Sequence, residues 1–218
     1  PALKPEYGWS AEGGIKQVLK IRNWKGFLDV SYFYTRYQNM TEFTFGVYNP
    51  PTQGLNLTPS SPGYLYKWIG FRAENAEDAQ ISGLEIELAG TGKIGKVEIF
   101  ALIGYTYMDP ITLNSDTNYR KSFSDTTTNM LKYRFKHLFK ADLQIDYKKI
   151  SIGGSLRYNS YMVNVDQTFY DLQIQGPSLG FPSSVVIHLG DKLLKGFPSY
   201  RSKYKTGAMV LDARLLFK

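Results

Sequence analysis

The sequence predicts an all-β protein whose strands form an antiparallel barrel across a membrane. Three observations predict it. Long segments alternate apolar and polar residues with a period of two, the links between them alternate short with long, and no run approaches the roughly 18 to 20 consecutive apolar residues of a spanning helix. The chain has 218 residues, 43% hydrophobic and 15% aromatic, with 26 basic and 19 acidic side chains, 20 glycines and no cysteine. This composition excludes a disordered tail and a disulfide-stapled miniprotein. A mean hydropathy of -0.30 ordinarily marks a soluble chain, but strands with one lipid face and one wet face average to such a value.

Taken in order, residues 7–21 set Trp9, Ala11, Ile15 and Leu19 against Glu12, Lys16 and Lys20. Residues 27–38 put Leu28, Val30, Tyr32 and Tyr34 on one side, with Asp29, Ser31 and Thr35 on the other. In residues 81–88, Leu84, Ile86 and Leu88 face away from Glu85 and Glu87, and residues 97–107 are apolar on both faces. The clearest signal is residues 131–147, where Leu131, Tyr133, Phe135, Phe139, Ala141, Leu143, Ile145 and Tyr147 alternate with Lys132, Arg134, Lys136, Lys140, Asp142, Gln144 and Asp146. Only His137 and Leu138 break that alternation. The run is about three times an ordinary strand of about 5 to 6 residues, as expected for a tilted bilayer crossing that continues into solvent. Residues 150–160 place Ile150, Ile152, Gly154, Leu156 and Tyr158 opposite Ser151, Gly153, Ser155, Arg157 and Asn159. Residues 209–218 place Met209, Leu211, Ala213, Leu215 and Phe217 opposite Val210, Asp212, Arg214 and Lys218. No segment reads convincingly as a helix.

Short links are predicted at 23–26, 90–96 and 148–149, and long links rich in Pro, Gly, Ser and Asn at about 43–66, 110–130 and 166–200. Short turns at one end and long loops at the other describe an outer-membrane barrel. The count is about seven strands, whereas single-chain bacterial barrels have an even number, so residues 1–218 are expected to be a partial barrel. The chain starts at Pro1 without an export signal and stops at Lys218 inside an alternating pattern, which adds to that expectation.

Several motifs invite a chemical reading. Gly90-Thr-Gly92-Lys-Ile-Gly95 fits GxGxxG, but a strand pattern follows where a dinucleotide fold needs a helix, so a glycine-rich hairpin turn is expected. Lys132, Arg134, Lys136 and Lys140 interleave with Tyr133, Phe135 and Phe139. Strand geometry sends the two sets to opposite faces, which argues against a nucleic-acid surface. Glu85 and Glu87 share a strand face and read as lumen carboxylates that balance basic residues, not as a paired-carboxylate catalytic site. His137 and His188 lack ligand-spaced partners, so neither a metal nor a cofactor is expected. The 17 tyrosines cluster near strand ends, as at Tyr32, Tyr34 and Tyr37, Tyr105 and Tyr107, Tyr158 and Tyr161, and Tyr200 and Tyr204. That placement suits aromatic girdles at headgroup depth.

These residues also resemble a known family. Leu3-Lys-Pro-Glu6 followed by Trp9-Ser-Ala-Glu-Gly-Gly-Ile-Lys16 looks like a barrel strand of TonB-dependent outer-membrane receptors. Phe27-Leu-Asp-Val-Ser-Tyr-Phe-Tyr34 with Met40, then Glu42-Phe-Thr-Phe-Gly46, is similar to the next strand and its continuation. Asn75-Ala-Glu-Asp-Ala-Gln-Ile-Ser-Gly-Leu-Glu-Ile-Glu87, Gly104-Tyr-Thr-Tyr-Met-Asp109 and Val210 to Arg214 resemble later strands, in family order along nearly the whole chain. Gln80 stands where many members have a basic residue, and Glu77 replaces the usual Gly. The resemblance implies part of a 22-stranded plugged barrel, with the plug domain and final strands outside this chain. It implies residence in the outer membrane of a Gram-negative bacterium and energy-coupled uptake of an iron chelate, cobalamin or glycan, without catalysis. The expected partners are membrane lipid, the protein's own plug domain, the inner-membrane energy-transducing complex, a surface lipoprotein lid and a small-molecule or oligosaccharide ligand. Nucleic acid is not among them. Glu85, Glu87, Arg134, Arg157, Asp212 and Arg214 are expected to face lumen and plug.

Two rival readings make different demands. A soluble or surface-attached glycan-binding β-sandwich would close its apolar faces on each other. A barrel lipase or protease would need a nucleophile and base at the long-loop end, where His188 is the one candidate.

Overall fold

The computed structural model describes residues 3–48, 55–56, 58–75, 78–114, 117–176, 181–182 and 184–217. Glu77, together with parts of all three long links, lies outside the described residues. The strands are β1 (Tyr7–Ile21), β2 (Trp24–Gln38), β3 (Thr41–Val47), β4 (Ile69–Asn75), β5 (Ala79–Ile94), β6 (Val97–Thr112), β7 (His137–Tyr147), β8 (Ile150–Asn159), β9 (Gln173–Gln175), β10 (Val186–His188) and β11 (Ala208–Phe217). Among the described residues, two short α-helices, α1 (Thr117–Arg120) and α2 (Phe197–Lys203), and two 3-10 turns, Leu65–Lys67 and Gln167–Phe169, interrupt the links, for which the sequence predicts no helix.

One antiparallel sheet dominates, in the order β1-β2-β5-β6-β7-β8-β11, so that chain order and spatial order agree. Two small hairpins, β3–β4 and β9–β10, stand inside the long links. The tight turns Arg22–Asn23, Gly95–Lys96 and Lys148–Lys149 all lie at one end of the sheet, and the long links all lie at the other.

Register carries the period-two pattern across all seven strands. Lys16, Asp29, Glu87, Gly104, Lys140, Arg157 and Val210 stand in one row. The adjacent row, which points to the opposite face, holds Ile15, Val30, Ile86, Tyr105, Phe139, Tyr158 and Met209. The apolar face runs along β5 from the level of Leu84 to that of Ile94. Ten residue steps at about 3.3 Å, tilted by about 40°, rise about 25 Å along a membrane normal, the height of a barrel's lipid band. Ile15, Leu211 and Phe217 on this face stay exposed, so the face is not covered by a second sheet as the sandwich reading requires.

Tyr32, Tyr34, Tyr105, Tyr107 and Tyr158 cluster on the apolar face near the long-link end, with Trp24 and Tyr147 at the turn end. Tyr37 departs from the expected girdle, since it points to the other face and packs against Met40, Ala79 and Leu131. Tyr161 lies beneath the Arg201 guanidinium, while Tyr200 sits on α2 and Tyr204 just after it.

The core sits in the link layer rather than beneath the sheet. Met40, Ala79 and Leu131 form one cluster, and Leu55, Leu65, Leu172 and Ile174 form a second. This placement corrects the clearest sequence signal: β7 begins at His137, so the expected run of residues 131–147 is a strand over its last eleven residues alone. Leu131 is buried in the first cluster, Lys132 is buried in an ion pair, and Tyr133 turns the chain at φ +58°. A period of two records which side chains are sequestered, and an extended link with both sides covered by protein imitates a strand.

The GxGxxG glycines also find structural duties. β5 continues through Gly90 and Gly92, and Gly95, at φ +61°, opens the tight turn. The Trp24 ring lies across Gly90 and Gly92, where a β-carbon on Gly90 would collide with the ring and stand 2.6 Å from the Lys25 carbonyl oxygen. Gly90→Ala is expected to destabilise the barrel by about 1 to 3 kcal/mol through overpacking. Urea titration in detergent checks this, with Gly95→Ala as the control for strain in the turn.

Candidate functional site

Two polar assemblies stand out: the charged face of the sheet and the buried cluster of the link layer. On the sheet, Glu85, Glu87, Arg157, Asp212 and Arg214 share one face, as cross-strand register requires. Most of these charges are paired. Lys140 of β7 reaches over Gly104 of β6 to Glu87 of β5 at 3.4 Å, a path left open because Gly104 has no side chain. Arg214 of β11 likewise passes Gly153 of β8 and donates to both carboxylate oxygens of Asp142 on β7, at 2.8 and 2.9 Å. Arg157 pairs with Asp212 at 3.3 Å and Lys16 with Asp29 at 3.3 Å, while Glu85 accepts a bond of 3.4 Å from Thr106. The result is a lattice of ion pairs stepping from strand to strand. Lys20 and Lys25 break the pattern, because they face each other directly across β1 and β2, an unfavourable juxtaposition that a neighbouring anion would relieve.

Arg134 is the exception among the expected site residues. It precedes β7 and so belongs to no strand face. It lines a cleft of about 360 Å³ in the link layer with Thr41, Glu42, Phe43, Phe71, Lys132 and Tyr133. Behind that cleft lies the cluster that period-two reasoning missed. The side chains of Lys132 and Asp166 are only 1% and 2% exposed and pair at 2.5 Å. Asp166 also accepts bonds from the Tyr133 hydroxyl at 2.7 Å and the Phe45 backbone N–H at 3.1 Å, so one carboxylate ties β3 to two separate links. The Tyr119 hydroxyl donates to Glu42 at 3.0 Å. Burial, with the neighbouring Asp166 carboxylate, pushes the Tyr133 hydroxyl well above its usual range. Residues 34 apart make the ion pair and residues 121 apart make the Asp166–Phe45 bond, separations that leave no local signal.

Burial raises the Glu42 pKa above its ordinary 4.5, against the opposing pull of Lys132 and the Tyr119 bond. A group whose folded pKa is raised stabilises the fold fully below its unfolded pKa, and that contribution disappears as pH rises through the folded value. The link layer should therefore lose this contribution between pH 4.5 and the raised folded pKa of Glu42. Glu42→Gln should flatten the slope, as read by thermal unfolding of the purified protein over a pH series.

The histidines serve local packing. His137 bonds the Tyr105 hydroxyl at 2.8 Å, and His188 bonds Asp171, whose other oxygen accepts the Gly190 N–H at 2.9 Å and clasps the β9–β10 hairpin. Among the described residues, no group of three or more His, Cys, Asp or Glu is arranged to hold a metal ion.

The family model described as TonB dependent receptor-like, beta-barrel, matches residues 1–203. No curated protein matches the chain. Among solved structures, the outer membrane transporter YddB from Escherichia coli is similar at 13% identity and a TM-score of 0.49, over 98% of this chain and 26% of that one. The chain thus spans about a quarter of that transporter's length.

Proposed function

The chain belongs to the TonB-dependent receptor-like β-barrel family, and from that premise we propose that it forms wall and outer crown of an active-transport receptor in the outer membrane of a Gram-negative bacterium. The apolar face meets lipid and the ion-paired face meets the plug domain. The tight turns point to the periplasm and the long links point outward. Glu85, Glu87, Arg157, Asp212 and Arg214 then face the lumen, with the Lys20–Lys25 pair positioned to receive plug carboxylates, and Arg134 serves the outward crown instead. The work is gated passage driven by the inner-membrane energy-transducing complex. No covalent step is required of these residues, and no cofactor. The ligand class is an iron chelate, cobalamin or a glycan, captured by the crown with or without a surface lipoprotein lid.

One observation carries the reading: an apolar band of bilayer height and a lattice of ion pairs occupy opposite faces of the same sheet, with every tight turn at one end. Cells provide the test. Deleting the gene should abolish growth on one limiting nutrient from a panel of ferric chelates, cobalamin and oligosaccharides. An uncoupler should stop accumulation of that nutrient in the parent strain. Unchanged growth across the panel, or accumulation indifferent to the uncoupler, contradicts the proposal.

A further inference from the structure

Where the apolar band reaches the tight turns it meets a row of cations. Arg22, Lys96, Lys148 and Lys149 are all exposed there. Arg22 at φ +53° and Lys148 at φ +52° occupy the left-handed region, which glycine adopts freely and a residue with a β-carbon adopts at a cost. The equivalent position of the middle turn is Gly95, at φ +61°. Two of the three turns therefore carry a cation where the backbone favours glycine, a local conflict that suggests another demand on the position.

The surroundings indicate what that demand is. Among the described residues none of these four cations pairs with a carboxylate, whereas Lys16, Lys140, Arg157 and Arg214 on the sheet all do. A cleft of about 390 Å³ between the first and second turns is lined by Ile21, Trp24, Ile94 and Ile99, with Arg22 and with Lys93, whose ammonium pairs with Glu98 at 2.8 Å. Those four apolar residues belong to the last rows of the apolar face, so the cleft is continuous with the band. The Lys148 ammonium lies 5.4 Å from the centre of the Tyr147 ring, on the same rim.

We infer that this rim is a binding groove for an anionic phospholipid of the leaflet at the turn end. The inference rests on the membrane-spanning reading above. An acyl chain lies along Ile21, Ile94 and Ile99 beside Trp24, and Arg22 and Lys96 take the phosphate. Lys148 and Lys149 hold a second headgroup at the next turn. The chemistry fits on both counts: a guanidinium binds phosphate through two parallel N–H bonds, and basic clusters beside a hydrocarbon band attract anionic headgroups. Trp and Tyr settle at this same depth. An acidic protein segment would use the cations but not the cleft, and it is the competing outcome.

The test uses the full-length receptor in nanodiscs of phosphatidylcholine doped with spin-labelled phosphatidylglycerol or spin-labelled phosphatidylcholine, with heat-modifiable gel mobility as the readout of insertion. The inserted receptor should hold phosphatidylglycerol about fivefold more strongly than phosphatidylcholine. The informative variant is Arg22→Gly with Lys148→Gly. It relieves the backbone conflict, so the barrel should be at least as stable, yet the preference should fall at least about threefold. Lys96→Gln with Lys149→Gln should lower it without touching a strained position. A preference that survives both variants, is absent from the inserted parent, or is displaced by millimolar inorganic phosphate overturns the groove and leaves the barrel reading standing. Failure of the parent itself to insert overturns both.

Discussion

Leu143→Arg should impair membrane assembly by about 2 to 4 kcal/mol, whereas Gln144→Arg, one residue along the same strand, should be tolerated. The two positions differ only in face. Leu143 lies in a row with Gly90, Ala101, Gly154 and Ala213, near mid-height of the apolar band. A guanidinium there stands in hydrocarbon without water or a counter-ion. Gln144 lies in a row with Thr91, Phe100, Gly153 and Arg214 on the ion-paired face, where its amide already bonds Asp146 at 3.0 Å. An added cation there stays hydrated. The measurement is refolding of the full-length protein into lipid vesicles over a urea series, and equal tolerance at the two sites would sink the face assignment.

Asp166→Ala should open the link layer while leaving the barrel wall intact. The substitution strands the Lys132 ammonium, 1% exposed, without its partner. Breaking a buried pair from one side costs about 3 to 5 kcal/mol. It also removes the acceptor of the Tyr133 hydroxyl and the Phe45 N–H, so three contacts fail together. Limited proteolysis should then cut within residues 113–136 and 160–207 at rates the parent does not approach, while the folded, heat-modifiable band persists. Replacing both partners, as Lys132→Met with Asp166→Leu, should restore most of the resistance because no uncompensated charge remains. Resistance unchanged in Asp166→Ala would show that the crown is held by its apolar clusters alone.

The wall was legible in the sequence and the crown was not, for a physical reason. A wall strand answers to two environments in strict alternation, so Ile145 and Gln144 reveal their faces through their nearest neighbours. Turn positions were legible to within a few residues, because glycine and charge concentrate there. The expected turn at residues 90–96 shrank to Gly95–Lys96 because Gly90 and Gly92 belong to the strand and make room for Trp24. Residues 131–136 alternate as well as any strand, yet Leu131 and Lys132 are both buried, on two different partners. What decides their fate is Asp166, and nothing near Lys132 in sequence points to it. Arg134 lies outside the strand for the same cause. That β3 runs on into the expected loop at 43–66 follows likewise from long-range packing, with Phe45 stacked on Phe169 at 5.2 Å.

Spin labels distinguish directly a sheet face in lipid from one in a wet lumen. Residues 1–218 hold no cysteine, so one engineered cysteine at a time can be placed at each position from 138 to 147 of the full-length receptor, with any cysteine elsewhere replaced by serine, and spin-labelled in vesicles. The expected result is a period of two, with Phe139, Ala141, Leu143, Ile145 and Tyr147 broadened by oxygen and shielded from a water-soluble nickel complex, and Lys140, Asp142, Gln144 and Asp146 lacking the lipid signature. A uniform profile along the strand, or oxygen accessibility peaking at the even positions, would contradict it.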